Sequence, residues 1–256
     1  MGKVISVYNQ KGGVGKTTTV INVAAALAYT GLFKKKVLVI DLDPQGNASS
    51  GFGVDKSQVE LDIYKVLLGQ TEIGEAIRTV KENRLDILPS TPALTGFEIE
   101  AISIDRPHDR LKDALDPVKE NYDFIFIDCP PSLGMLSMNA LSASDSVLIP
   151  IQSEYYALEG VSQLVSTIDM VKNQVNPSLE IEGVVLQMVD TRTNLSQDVI
   201  DEVEKFFGEK VYRTHIPRNI RVAEAPSYGE SVITYDKGSK GAKAYMALAK
   251  EIKKRN

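Results

Sequence analysis

The 256-residue chain is 43% hydrophobic and 25% charged, carries a net charge of −5 and has one cysteine. That composition suits a globular α/β domain. It rules out a disulfide within the chain and leaves no apolar run near the roughly 20 residues of a membrane span. The N-terminus has one early lysine and then a strand-like run rather than a secretory leader, so a cytoplasmic address is expected.

In chain order, Val4–Tyr8 reads as a first strand and is followed by a glycine-rich loop. A helix comes next, with Val20, Val23, Ala24, Leu27 and Ala28 on one face and Gly31 at its end. Further strands are expected at Val37–Ile40, Leu85–Leu88, Phe124–Ile127, Val147–Ile149 and Val184–Met188, with a short run near Val211 completing the sheet. The unbroken apolar run Phe124–Ile127 suits a strand covered on both faces. Strands alternating with helix-periodic stretches predict a mostly parallel, twisted sheet flanked by helices on both faces, and no linker divides residues 1–256. Two late helices stand out. One has a stripe of Leu195, Val199, Val203, Phe206 and Phe207, with Asn194 and Gln197 spaced as a capping box. The other has Tyr245, Leu248, Ala249 and Ile252 on one face, with Lys243, Lys250, Lys253 and Lys254 off it.

The loop after the first strand carries the chemistry. The strict phosphate-loop pattern asks for glycine where Gln10 stands, but Lys11-Gly12-Gly13-Val14-Gly15-Lys16-Thr17-Thr18 keeps the physics. Its glycines let backbone N–H groups converge on phosphate oxygens, and the next helix aims the positive end of its dipole at the same anion. Lys16 supplies a charge for the β- and γ-phosphates, and the Thr17 hydroxyl can ligate Mg²⁺. A plain strand-to-helix turn would not need Lys-Thr-Thr at that offset. ATP and Mg²⁺ are the expected cofactors. Lys11 is either a solvated charge or a second neutraliser of the triphosphate.

Carboxylates fall at the ends of two strands. Asp41 and Asp43, two apart, would share a face if the strand persisted that far. Asp128 ends the run Phe124–Ile127 and fits a metal-shell carboxylate, with Pro130-Pro131 stopping the strand. Asp43 is the choice for orienting the attacking water and Asp41 for the Mg²⁺ shell, an order the sequence alone leaves open. Cys129 reads as a buried small hydrophobe, and His108 and His215 lie outside any metal-ligand spacing.

Charge is uneven. From Arg192 onward 13 Lys+Arg face 9 Asp+Glu, whereas the preceding residues carry 16 against 25. A basic face can meet a phosphate backbone even on an acidic protein, although a solvated helical surface has the same composition.

Lys11-Gly-Gly-Val-Gly-Lys16-Thr17-Thr18, Asp41-Leu-Asp43-Pro-Gln45-Gly-Asn47 and Phe126-Ile-Asp128-Cys-Pro-Pro131 resemble the deviant Walker motifs of the ParA/MinD superfamily. Asp190-Thr-Arg192-Thr-Asn194-Leu-Ser196, Ile216-Pro217-Arg218-Asn219-Ile-Arg221, Glu224-Ala-Pro-Ser-Tyr-Gly229 and Lys240-Gly-Ala-Lys243-Ala-Tyr245 are similar to the small chromosomal ParA (Soj) branch. The resemblance implies a deviant P-loop fold and a weak, Mg²⁺-dependent ATPase that works as a partitioning switch for a chromosome or plasmid. It implies an ATP-bound sandwich homodimer in which Lys11 reaches the partner's nucleotide, Gly12 lies where protomers approach and Asp43 positions water. Pro217 and Asn219 would hold the adenine. The dimer would bind nucleoid DNA without sequence preference, and a ParB-type partner would stimulate hydrolysis and release it. Arg192, Arg218, Arg221 and Lys243 are the candidate phosphate contacts, with Arg218 able to serve the nucleotide pocket instead. The first strand begins at about residue 3, so the N-terminal helix-turn-helix of larger relatives is not expected. The alternatives are a MinD-like membrane-associated ATPase that positions cell division, which needs a free C-terminal amphipathic helix, and an enzyme coupling ATP to small-molecule chemistry.

Overall fold

The structure is a computed structural model that describes residues 2–31, 34–80, 84–153, 157–190 and 192–256. Among the described residues seven strands form one sheet: β1 (Lys3–Val7), β2 (Val37–Asp41), β3 (Arg78–Thr79), β4 (Leu85–Leu88), β5 (Phe124–Asp128), β6 (Ser146–Gln152) and β7 (Glu180–Gln187). Their order is β3-β4-β2-β5-β1-β6-β7. All pairings are parallel except β3 with β4, a short antiparallel edge with no apolar run to announce it. The run near Val211 adds no strand; Val211 makes one isolated bridge to Val184.

Successive residues of the central strands enter opposite cores, as the period of two requires. Phe124 and Phe126 pack on one face with Val37, Val39, Val7 and the helix Lys16–Tyr29. Ile125 and Ile127 pack on the other with Leu38, Ile40 and the helices Met135–Ala143 and Ala157–Gln174. Both faces are covered, which is why these strands read as continuous apolar runs. Lys16–Tyr29 is itself buried almost all round, because the C-terminal helix Lys240–Arg255 packs over it with Tyr245, Leu248, Ala249 and Ile252 inward. A one-sided apolar stripe was therefore too modest an expectation for the first helix.

The helix Asn194–Phe207 departs from its expected details. Thr193, not Asn194, is the N-cap, its side chain accepting from Ser196 N–H, while Gln197 donates to Asp201. Val199, Ile200 and Val203 are buried, whereas Leu195 and Phe206 are exposed. Elsewhere the backbones of Gly53 and Gly229 meet. Both have positive φ, and a Cβ on Gly229 would stand 2.6 Å from Gly53 Cα. Only glycine fits such an approach.

Candidate nucleotide site

β1 lies between β5 and β6, so the loop that leaves it emerges at the carboxyl edge of the sheet, where open α/β sheets bind ligands. Gly13 and Gly15 adopt φ of 75° and 90°. Gly15 is the N-cap of the helix Lys16–Tyr29, which begins with no side-chain cap and no acidic residue in its first turn. The end of that helix is thus left to an anion. The space where Cβ atoms would stand on Gly12 and Gly13 is open, with nothing within 4 Å. Val14 is buried, Thr17 and Thr18 are half-buried, and Lys11 to Gly13 are exposed.

Lys16 is buried, and its Nζ donates to Lys11 O at 3.1 Å, folding back across the loop. Burial lowers its pKa, opposed by the negative charges of Asp128 and Asp43. A desolvated ammonium under an open glycine cradle is placed to meet phosphate. Asp128 pairs in register with Val7 of β1 on one side and Asp41 of β2 on the other. Both of its oxygens are buried without a hydrogen-bond partner. Burial raises its pKa well above the carboxylate range and the Asp41 charge adds to this; the nearby Thr17 hydroxyl and the Lys16 charge oppose it. A carboxylate so placed needs a cation or a proton. Together with the Thr17 hydroxyl, it is the donor set a hard divalent ion such as Mg²⁺ takes.

For Asp41 and Asp43 to share a strand face, β2 would have to run on to Asp43. The strand stops at Asp41, which is fully buried. Asp41 Oδ2 accepts from Ser49 N–H and Oγ, both at 2.7 Å, and Oδ1 accepts from Asp43 N–H at 3.3 Å. Burial pushes its pKa up to about 6 against the bonds from Ser49. Asp43 is half-buried and accepts from Gln45 N–H at 2.9 Å in a local turn. Of the three, Asp128 has its buried oxygens unpartnered, Asp41 has both engaged by the protein, and half-buried Asp43 adds its negative charge beside Lys16 and Asp128. Cys129 is buried, and burial raises its thiol pKa.

Pro217 bridges to Val189, and Asn219 caps the short helix Ile220–Glu224 by accepting from Arg221 N–H. That helix is seated on the start of the C-terminal helix: a Cβ on Gly241 would meet Val222 Cγ2 at 2.3 Å and Asn219 Cγ at 3.3 Å. Arg221 and Lys243 flank this contact and both are exposed. Arg192 and Arg218 gather instead around Asp190, whose pKa falls to about 2 through hydrogen bonds from Arg192, with the Arg218 charge adding a little. Arg192 is 86% exposed yet forms a two-bond pair with Asp190, and Arg221 pairs with Glu224 and Asp236. Two of the four basic candidates therefore carry an acidic partner that the count of charges did not reveal.

Sequence reasoning also passed over Ser49, Thr19 and Gln187. Ser49 binds Asp41; Thr19 Oγ1 donates to Gly15 O, and Gln187 Nε2 donates to Thr19 Oγ1. Gln187 was visible as a polar residue within the apolar strand Val184–Met188.

A family model described as "AAA domain" matches residues 2–181. The sporulation initiation inhibitor protein Soj of Bacillus subtilis (strain 168) is 54% identical over 98% of this chain and 98% of its own length. The chain belongs to the ParA/Soj family of P-loop ATPases. The chromosome partitioning protein ParA of Myxococcus xanthus (strain DK1622) is 49% identical, over 100% of this chain and 89% of its own. Among solved structures, cobyrinic acid a,c-diamide synthase from Mycobacterium smegmatis with bound ADP and magnesium is 35% identical with a TM-score of 0.86, covering 99% of this chain and 95% of that one. ParA/Soj membership accords with the seven-stranded sheet and with the deviant loop, in which Gln10 replaces the first glycine.

Proposed function

We propose that this protein is an ATP-driven partitioning switch whose Mg²⁺-ATP-bound homodimer holds DNA without sequence preference and releases it after hydrolysis, prompted by a ParB-type partner. The observation that carries the nucleotide half is Asp128, a buried carboxylate with both oxygens open beside Lys16 and Thr17 beneath an open glycine cradle. The backbone N–H groups of Gly12 to Thr18 and the Lys16 ammonium hold the phosphates. Thr17 and Asp128 hold the metal, with Asp41 behind Asp128 as a second negative charge. When bound, Mg²⁺ neutralises charge on the β- and γ-phosphates. Asp43 orients the attacking water. Lys11, exposed at the open end of the loop, is positioned to neutralise the nucleotide of a second protomer, with Gly12 at the point of approach. Pro217 and Asn219 hold the adenine.

For DNA, Arg218 and Lys243 are the stronger contacts. Arg192 and Arg221 contribute once their carboxylate partners give way to phosphate. Dimerisation doubles a face that is weak in one protomer. Among the described residues no helix is long and apolar enough to cross a membrane. The stripe a membrane-targeting C-terminal helix would need is turned onto the loop helix, which favours DNA over a lipid surface as the readout.

The test is DNA binding with ATP, ADP or no nucleotide over a salt series. Neutralising about 4–8 phosphates should give a slope of log K against log salt of roughly −4 to −7, in ATP alone. Equal binding without ATP, or a flat salt response, would remove the DNA half of the proposal. A metabolite product formed in proportion to ADP would replace it with small-molecule chemistry.

A further inference from the structure

A chain of buried hydrogen bonds runs from the C-terminal helix to the phosphate loop, and every donor in it points the same way. Tyr245 OH donates to Gln187 Oε1 at 3.1 Å. Gln187 Nε2 donates to Thr19 Oγ1 at 3.0 Å, and Thr19 Oγ1 donates to Gly15 O at 2.7 Å. Thr19 N–H donates to the same carbonyl at 2.9 Å. Tyr245, Gln187 and Thr19 are all at most 2% exposed.

A threonine bonding the carbonyl four residues back is ordinary in a helix. The donor behind it is not local, since Gln187 lies 168 residues away at the end of β7. Strand alternation puts Gln187 on the face of Val185, which is the face the loop helix and the C-terminal helix cover. Its side chain also lies directly against the loop: a Cβ on Gly15 would meet Gln187 Oε1 at 3.4 Å. Gln187 therefore fills the space that the glycine leaves and fixes the hydroxyl that grips it.

The Gly15 carbonyl belongs to the same peptide unit as the Lys16 N–H. Hydrogen bonds that share a direction polarise one another, most of all where water is excluded. A carbonyl that accepts two of them leaves its peptide N–H a better donor to an anion. Resting on the nucleotide reading above, we propose that Gln187 and Tyr245 are positioning residues for phosphate. They set the Gly15–Lys16 peptide of the loop and strengthen its N–H as a phosphate donor, so that the C-terminal helix helps set nucleotide affinity.

The experiment is calorimetric titration of Mg²⁺-ADP into wild type, Tyr245→Phe, Gln187→Met, their double variant, Thr19→Val and Thr19→Ser, alongside unfolding temperatures without nucleotide. Each break in the chain should raise Kd about 3- to 10-fold, in line with one buried hydrogen bond. The double variant should fall well short of the product of the two single effects, because one chain is being broken. Thr19→Ser, which keeps the hydroxyl, should restore affinity that Thr19→Val loses. In ATP hydrolysis KM should rise with kcat changed less than twofold, as expected of an interaction made equally in ground and transition states. Wild-type affinity reports on the nucleotide site itself, and the variant-to-wild-type ratio reports on the chain. Variants that unfold at lower temperature but bind Mg²⁺-ADP within twofold of wild type would overturn the proposal, as would a fall in kcat with Kd unchanged.

Discussion

Replacing Asp128 by Asn should make the nucleotide-free protein more stable while removing its response to Mg²⁺. Asp128 and Asp41 face each other across β5 and β2, both fully buried, and both have raised pKa values. A carboxyl whose folded pKa lies above its unfolded value holds its proton longer in the folded state. Stability is therefore lost as pH rises through that interval. For Asp41 the interval runs from 3.8 to about 6, a cost of about 3 kcal/mol at neutral pH from the shift alone. Asp128 adds a cost of the same sign, since neither of its oxygens has a partner. Removing that charge should return about 2 kcal/mol at pH 7.5, or a rise in Tm of roughly 4–8 °C for a chain of this size. At pH 5 the gain should shrink, because the raised pKa of Asp128 brings its protonation closer as pH falls. Scanning fluorimetry in EDTA at both pH values, repeated with Mg²⁺-ADP, measures both effects. A variant less stable than wild type at pH 7.5 in EDTA, or one that keeps the full Mg²⁺ increment, would refute the reasoning.

Further outcomes are expected elsewhere. Lys16→Ala should weaken Mg²⁺-ADP binding by about 100-fold or more, as loss of a charge-assisted phosphate contact implies, with no fall in nucleotide-free Tm because a desolvated ammonium is removed; titration and fluorimetry check the two halves. Gly229→Ala forces a Cβ to within 2.6 Å of Gly53 Cα at a φ of 65°, so urea unfolding should show a loss of about 2–3 kcal/mol. Asp190→Asn releases Arg192 from its paired carboxylate and removes a negative charge beside Arg218. DNA binding in ATP should tighten several-fold with a steeper salt slope, whereas unchanged affinity would take these arginines off the DNA face.

Much of this architecture is legible in the sequence, because the features concerned are local. Phe124–Ile127 announces a doubly covered strand, and the glycine loop with Lys16-Thr17-Thr18 announces an anion site wherever strand and helix flank it. The short antiparallel strand Arg78–Thr79 is not legible, since two polar residues on a sheet edge carry no periodic signal. Asp41 and Asp43 look equivalent in sequence and separate only in the fold, where Ser49 engages one and a tight turn leaves the other half-buried. The pairing of Arg192 with Asp190 and of Arg221 with Glu224 and Asp236 is likewise a matter of geometry that counting charges passes over. Gln187 illustrates the deepest limit. A polar residue in an apolar strand marks a place of interest, but its partners Thr19 and Tyr245 come from opposite ends of the chain.

The switch itself is tested most directly by Asp43→Ala on DNA. The Asp43 side chain is half-buried and accepts only a local bond from Gln45 N–H, whereas the carboxylates of Asp41 and Asp128 are fully buried. Its loss should therefore spare ATP binding while stopping hydrolysis. Dissociation from a nonspecific duplex is followed after ATP loading and dilution into excess ADP, with wild type in parallel. The expected result is rapid release of wild type as ATP is consumed and a variant that stays on DNA at least ten times longer. Equal release rates, with hydrolysis by Asp43→Ala undiminished, would contradict both the role of Asp43 and the coupling of hydrolysis to DNA release.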